Sequence, residues 1–381
     1  MKEQLKKIIM NLIPDYKSFI NSYNNTVLCS YVNDGFLLNK NSKKLLTHGN
    51  KIEAILIKEV FNDLGFNFIA IRYDKDINLG KYEKYNPAIV FGIEPNFEIL
   101  CNKFPEALKI YYATGSFIEH QNNMVKFRTD YVNNLRNSDI PYYRMVPNNK
   151  AAYLADYIIQ IGSDYTIDTY PEELRKKIFI IRQSSFEFLK MDKQKKFELY
   201  ERNNYMWFGS NGTILKGLDL VLEYFKSNPH LYLNIIGPID REFEETYKFE
   251  LYELPNITYH GYIPIYDSKI VEIANKCSFL IYPSASEAGA PGSVINMMRL
   301  GLIPILVKYC SFNEILDIGF LIEDLTISSI ENSIEKSQQM NNEELLFKFE
   351  ECMYYATSNF TQNNFKNDFR LVCERILSGV N

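Results

Sequence analysis

Short, unbroken apolar runs separated by helical patterns recur along nearly the whole chain, and this alternation limits the fold more than any other feature. The runs 26–32 (TVLCSYV), 66–72 (FNFIAIR), 88–93 (AIVFGI), 107–113 (ALKIYYA) and 156–161 (DYIIQI) read as strands. They are continuous rather than alternating and rich in β-branched and aromatic residues, as expected of strands covered on both faces. Between the first two, residues 50–65 put apolar side chains at 52, 55, 56, 60 and 64 on one helical face and stop at Gly65. Strand, helix, strand in that order calls for a right-handed crossover and a parallel sheet. The pattern restarts in the second half, with strands at 205–210, 231–237, 256–261, 278–284, 303–307 and 319–322 and helices at 216–225 and 265–277. The fold class expected is α/β: two Rossmann-like, doubly wound parallel-sheet domains facing across a cleft, followed by a helical tail. The domains read as 1–190 and 205–360, joined by the charged stretch 190–204, with 361–381 as a C-terminal helix packing back on the body. In such sheets ligands sit beyond the carboxyl ends of the strands, so the loops there are where chemistry is sought.

Composition narrows the function. A chain of 381 residues is long enough for two domains, and 46% hydrophobic with 23% charged residues is a globular balance. A net charge of -5 argues against a general nucleic-acid binder, which needs a basic surface. The six cysteines are scattered without a Cys-x-x-Cys pair and the four histidines are dispersed, so neither a disulfide frame nor a zinc site is expected. Free thiols fit a reducing compartment, and a cytoplasmic protein is expected. No run reaches the roughly 18 apolar residues that crossing a bilayer requires. Leu5, Ile8, Ile9, Leu12 and Ile13 share one helical face near Lys2, Lys6 and Lys7. The plainer reading of 1–13 is a helix packed on the body; the alternative is peripheral contact with the inner face of a membrane.

Two loops can carry chemistry. After 205–210 comes SNGTILKG, in which Ser210, Asn211 and Gly212 form a short turn and Lys216 opens the next helix. Turn amides, a helix start and an ammonium group suit a phosphate, against the alternative of an ordinary turn with a solvated lysine. The Walker spacing is absent, which disfavours a P-loop ATPase. After 278–284 comes ASEAGAPGSVINMMRLG. Glu287 stands at the end of a buried strand, followed by Ala288, Gly289, Ala290, Pro291 and Gly292, with Ser293 expected at the helix start. Small residues admit close approach of another molecule to the backbone. A carboxylate beside a phosphate site makes sense if it accepts hydrogen bonds from ligand hydroxyls, which suggests a sugar joined to a phosphate.

In this order and spacing, WFGS, KGLDLVLEYF, NIIGPI, NITYHGYI and YPSASEAGAPGSVINMMRLGLIPILV resemble the donor-binding half of retaining glycosyltransferases of family 4, with the GT-B fold. The resemblance covers about 205–322; VLCSYVNDGFLL, THGNKIEA and YYATGSFIEHQN resemble the acceptor-side loops more loosely. It implies transfer of a sugar from a nucleoside-diphosphate sugar to an acceptor hydroxyl of a glycan or lipid-linked glycan, with retention at the anomeric carbon. Surface polysaccharide is the family's common target. It further implies that Glu287 contacts the donor sugar and that Lys216 contacts the diphosphate. Asn296 stands where the family has a second glutamate, toward the ribose, and Ser210 and Asn211 stand where a second phosphate cation is usual. The family mechanism uses a phosphate oxygen as base, so no protein base is needed; no Asp-x-Asp pair stands at a strand end and a lysine takes the place of a cation, so no metal and no cofactor is expected.

Of the remaining candidates, His120 follows the strand 107–113, where the family often has a donor-side histidine, and simple loop packing is its alternative. His48 and Asn50, at the start of the helix 50–65, are read on the acceptor side. Gly35, after the first strand, would let a phosphate approach or is a plain turn glycine. His230 and His260 read as structural. The chief rival to an enzyme is a non-catalytic GT-B module that binds a sugar nucleotide or glycan and assists a partner transferase. An epimerase lacks its paired carboxylates, and a nicotinamide dehydrogenase lacks Gly-x-Gly-x-x-Gly after the first strand.

Overall fold

The computed structural model describes residues 16–39 and 42–379; the amphipathic stretch 1–13 lies outside them. The first sheet contains β1 (Tyr16–Phe19), β2 (Asn25–Tyr31), β3 (Phe66–Arg72), β4 (Ile89–Gly92), β5 (Leu108–Ala113), β6 (Tyr157–Ile161) and β7 (Ile178–Ile181). Its order is β1-β3-β2-β4-β5-β6-β7, parallel except for β1, which pairs antiparallel with β3 at the edge. The second sheet is parallel throughout and contains β8 (Glu201–Phe208), β9 (Tyr232–Ile236), β10 (Ile257–Tyr259), β11 (Cys277–Tyr282), β12 (Ile303–Val307) and β13 (Phe320–Ile322). Its order is β10-β9-β8-β11-β12-β13.

These orders locate the ligand crevice. The chain runs outward through β8, β9 and β10 and then returns to lay β11 on the other side of β8. The first sheet does the same, with β4 returning beside β2. Each reversal leaves a gap between diverging loops at the carboxyl ends of two neighbouring strands, the topological switch point of a doubly wound sheet. Lys216 follows β8 and Glu287 follows β11, so the second gap lies between the two loops singled out in the sequence.

The helices used below are α1 (Asn50–Asp63), α2 (Ile118–Arg136), α3 (Leu218–Ser227), α4 (Ser268–Lys276), α5 (Gly292–Met298), α6 (Asn342–Asn359) and α7 (Gln362–Ser378). Two of them cross between domains. On α7, Phe365, Phe369, Cys373 and Ile376 join the core of the first domain, and Lys366 reaches Glu59 of α1 at 2.9 Å. The expected return of the C-terminal helix to the body is therefore a return to the first domain. In the opposite direction, Val132 of α2 and Ile140 just beyond it enter the core around Trp207, Leu218 and Leu222 of the second domain. Arg128 of α2 pairs with Asp219 of α3, both side chains at or below 3% exposure. Arg136 pairs with Glu223 and, at 2.8 Å, with Glu250. Each domain thus lends a helix to the other. Their mutual position is held by apolar packing and buried charge rather than by a linker.

The charged stretch 190–204 is part of the second domain. Residues 193–199 form a short helix whose Lys196 is fully buried and donates to Ala274 O at 2.8 Å and to Cys277 O. It thereby satisfies carbonyls at the end of α4, and its ammonium lies 4.6 Å from the ring centre of Phe349. All six cysteines are buried and unpaired.

Two outcomes follow from this packing. Asp219→Ala leaves the Arg128 guanidinium buried without a counter-charge and should cost about 3–5 kcal/mol in urea unfolding at pH 7; a loss below about 1 kcal/mol would mean that water reaches the pair. Burial pushes the Lys196 amine down from 10.5 to about 7. Between those two values the unfolded chain binds the extra proton, so stability should rise with pH by up to about 1.4 kcal/mol per pH unit. Lys196→Met should remove that slope when unfolding free energies at pH 7.5 and 9 are compared, and an unchanged slope would contradict the assignment.

Candidate active site

The site is built on β8 and β11, which lie side by side and parallel. The loops that leave them are tied by backbone contacts: Ala285 N donates to Leu215 O at 2.8 Å. Gly217, at φ 71°, lies so close to Pro283 that a Cβ there would overlap the Pro283 carbonyl. Under both loops the Trp207 indole stacks on Tyr282, with ring centres 5.9 Å apart, and donates to Lys216 O at 3.2 Å. This floor leaves the Lys216 side chain 7% exposed and aimed across the gap.

Lys216 Nζ donates to Glu287 Oε1 at 2.8 Å and to the Tyr282 hydroxyl at 2.9 Å. The Tyr282 hydroxyl donates to the same Oε1 at 3.1 Å, and Ser284 Oγ donates to it at 3.3 Å. Burial alone would push the Glu287 carboxyl up; the charges of Lys216 and Arg144 and the hydrogen bonds from Lys216 and Tyr282 outweigh it and hold the group below the ordinary carboxylate range. Burial, and then the Glu287 charge, push the Tyr282 phenol well above its ordinary value. At neutral pH Glu287 is therefore a carboxylate and Tyr282 a neutral phenol. All three hydrogen bonds end on Oε1, and among the described residues Glu287 Oε2 has no hydrogen-bond partner, so it is available to a ligand hydroxyl. The structure brings Lys216 and Glu287 into direct contact, and Tyr282 bonds both.

Other expectations meet a different geometry. The amide of Gly212 does not face an open phosphate site: Gly212 N, Thr213 N and Thr213 Oγ1 donate to Asp240 Oδ2 at 2.9, 2.8 and 2.9 Å. The chain's own carboxylate fills that nest of donors. Ser210 and Asn211 remain exposed at its mouth. Gly289 admits the first domain's backbone: a Cβ there would lie 2.9 Å from Gly162 Cα. Ala288 is buried in the first domain's core cluster, and Ala290 O accepts from Gln183 Nε2. The small residues of this turn thus serve contact between domains. Asn296 is 3% exposed and committed at both ends, accepting from Phe186 N at 2.7 Å and donating to Gly292 O at 2.7 Å. Its amide anchors the start of α5, which begins at Gly292 with Pro291 before it. The Ser293 hydroxyl bonds with Tyr282, at the edge of the site. Gly35 is where β2's loop meets the helix α1: a Cβ would lie 2.7 Å from Lys51 O, so packing requires the glycine.

The first domain faces this trio closely. His48 Nδ1 accepts from Asn50 N at 3.3 Å, which leaves Nε2 to carry the proton of the neutral ring. Partial burial, with Lys51, Arg144 and Lys216 nearby, lowers its pKa, so His48 is neutral at pH 7 although solvent reaches it. His120 bonds through Nε2 with Ala285 O at 3.2 Å, and its ring lies 4.4 Å from that of Tyr309. Burial, with Lys308, lowers its pKa too. His120 touches the backbone two residues before Glu287, and in this structure its Nε2 is bound to protein. Ser286 Oγ donates to Gln121 Oε1 at 2.7 Å and also bonds with Ser116, so the Glu287 loop is strapped to the first domain.

A cavity of about 190 Å³ opens at the carboxyl ends of β4 and β5, walled by Glu94, Tyr111, Ser116, Gln121, Arg144 and Tyr153 among others. Two of its wall residues, Ser116 and Gln121, bond with Ser286, so it adjoins the strapped loop. A larger one, about 480 Å³, lies between the loops after β6, β7 and β12 and α7, on the far flank of the 288–290 turn. Among the described residues no three His, Cys, Asp or Glu gather as a metal site, and no helix is long and apolar enough to cross a membrane.

Residues 190–351 match the family model described as glycosyl transferases group 1. No curated protein matches the chain. Among solved structures, the chain is similar to a glycosyltransferase from Rickettsia africae, at TM-score 0.60 and 15% identity over 93% of this chain and 99% of that one. It is similar to HepE of Anabaena in complex with UDP and glucose, at TM-score 0.56 and 10% identity over 93% and 100%. It is also similar to TarM of S. aureus in complex with UDP, at TM-score 0.50 and 13% identity over 76% and 58%. At these identities the likeness is one of fold, and the fold is GT-B.

Glu287→Gln tests the charge balance of the trio. It strands a buried ammonium at Lys216 and should destabilise the fold by about 3 kcal/mol in urea unfolding at pH 7. Unchanged stability would mean that solvent already screens the pair.

Proposed function

We propose that the chain is a retaining glycosyltransferase that moves a sugar from a nucleoside-diphosphate sugar to an acceptor hydroxyl of a glycan or lipid-linked glycan. The observation that carries this reading is the Lys216–Tyr282–Glu287 trio at the switch point of the second sheet. It presents a hydrogen-bonded ammonium and an open carboxylate oxygen within one hydrogen-bond network. The match to the glycosyl transferase model over 190–351, and the fold shared with a protein solved in complex with UDP and glucose, support the same reading.

The chemistry follows from the charges. Breaking the bond between the anomeric carbon and the diphosphate leaves an oxocarbenium-like sugar and a strongly anionic leaving group. Lys216, fixed by the loop contact and the indole floor, stabilises that anion without reorganising at the moment of reaction. Glu287 Oε2 accepts sugar hydroxyls and sets the orientation of the ring. Glu287 is ionised and tied to Lys216, with its acidity strengthened rather than weakened, so it is poorly suited to act as general base. The acceptor proton passes instead to an oxygen of the departing diphosphate while the acceptor oxygen bonds the anomeric carbon on the face just vacated, which gives retention. The acceptor enters from the first domain, past His48 and Asn50 or through the cavity walled by Glu94, Tyr111 and Tyr153. No metal is needed where a lysine stands at the leaving group. Surface polysaccharide is the acceptor class we assign, made from cytoplasmic sugar nucleotides.

A panel of UDP-, GDP- and ADP-sugars in thermal shift should identify the donor, because binding to the native state raises apparent stability. With that donor, Lys216→Ala should lower turnover by about 10²–10³ while the protein stays folded. A loss smaller than about tenfold would remove Lys216 from the leaving-group role. No shift with any sugar nucleotide would sink the enzyme reading as a whole.

A further inference from the structure

We propose that Arg144, on the first domain, is the second cation of the donor site and binds the diphosphate from across the cleft. The inference rests on the reading of the trio as a nucleoside-diphosphate-sugar site.

The need for a second cation comes from charge counting. Lys216 and Glu287 are ion-paired at 2.8 Å, so the trio is close to neutral as a unit. A nucleoside diphosphate leaves with about three negative charges, and a neutral trio is a weak trap for it. Lys51, the other ammonium near His48, is already paired with Asp34 at 3.1 Å. Arg144 is different. Among the described residues, its guanidinium has neither a salt-bridge nor a hydrogen-bond partner, yet its field reaches both Glu287 and His48.

Its placement is built rather than incidental. Arg144 has φ 71°, a left-handed conformation that costs a non-glycine residue energy and persists only where the surroundings impose it. Three contacts impose it here. Gln121 Nε2 donates to Arg144 O at 2.9 Å, and Gln121 is the residue that receives Ser286 Oγ from the Glu287 loop. Asn122 exchanges two hydrogen bonds of 2.9 Å with Val146, on the other side of the strained residue. The third contact is with the second domain: the aliphatic stem of Arg144 lies on Gly212, where an added Cβ would collide with Arg144 Cγ. Gly212 adjoins the exposed Asn211 and Ser210 at the mouth of the turn that leads to Lys216. The same arginine also lines the cavity at the ends of β4 and β5. A planar, permanently charged fork held at that junction can bond two phosphate oxygens at once, which a lysine cannot.

Isothermal titration with UDP, GDP and ADP, and with the corresponding monophosphates, tests the assignment on the full chain. The wild type should bind one diphosphate best. Arg144→Ala should weaken that diphosphate by about tenfold or more, with the monophosphate changed by no more than about twofold. Arg144→Gly relieves the left-handed strain, so it should lose diphosphate affinity equally while its melting temperature stays level or rises. Asn211→Arg in the Arg144→Ala background supplies a guanidinium from the neighbouring turn and should restore most of the affinity. Wild-type diphosphate affinity in Arg144→Ala overturns the proposal and leaves the donor reading standing; so does an equal loss of mono- and diphosphate. A lowered melting temperature in Arg144→Gly, or a double variant as weak as the single one, overturns it as well. If the wild type binds none of the three diphosphates, the donor reading itself falls, and the Arg144 assignment with it.

Discussion

The hydrogen bond between Lys216 and Glu287 organises the second domain's half of the cleft. It exists because β11 returns beside β8, which brings together two loops separated by about seventy residues of chain. Once the loops meet, their charges are buried together, and burial makes each dependent on the other. Tyr282 completes the arrangement by bonding both partners at once, and its ring rests on Trp207, the chain's single tryptophan. A site made this way is preorganised: the ammonium, the phenol and the carboxylate are already oriented before a ligand arrives.

The two domains are held with comparable care. Helix α2 carries Arg128 into the second domain, and α7 carries Phe365 and Phe369 into the first. These exchanges fix the relation of the two sheets by packed side chains on both sides of the cleft. They also explain the use made of Ala288 and Gly289, whose lack of bulk lets the first domain close on the loop that bears Glu287. The first domain therefore does more than cover the site. Through Gln121, Ser116 and His120 it holds that loop in place, and it brings Arg144 against Gly212, in the turn that leads to Lys216.

Much of the fold was legible in the sequence because parallel strands covered on both faces must be continuous apolar runs, and most runs of that kind became strands. Lys216 and Glu287 were legible because each stands at the carboxyl end of such a run. What stayed hidden depended on partners distant in the chain. Helix α2 is not legible locally, because Arg128 and Arg136 have the pattern of a solvated face and their counter-charges lie on the other domain. The short β7 was too brief to register against its charged surroundings, and edge strand β1 was not distinguished. The donor nest at Gly212 looked available because Asp240, which fills it, is 28 residues away. Tyr282 is one of several aromatics in buried strands, and nothing local reveals that its hydroxyl reaches the gap. Arg144 sits in a loop without periodicity, and only its left-handed backbone, visible in three dimensions, singles it out.

Sugar transfer by this site requires a diphosphate to lodge against the ammonium of Lys216. A crystal structure of the full chain with the nucleoside diphosphate it binds most tightly addresses this directly. A phosphate oxygen is expected about 3 Å from Lys216 Nζ, with the ligand lying between the loops after β8 and β11. A diphosphate seated elsewhere, or one that leaves the Lys216 ammonium bonded only to Glu287 and Tyr282 with no phosphate oxygen in reach, would contradict it.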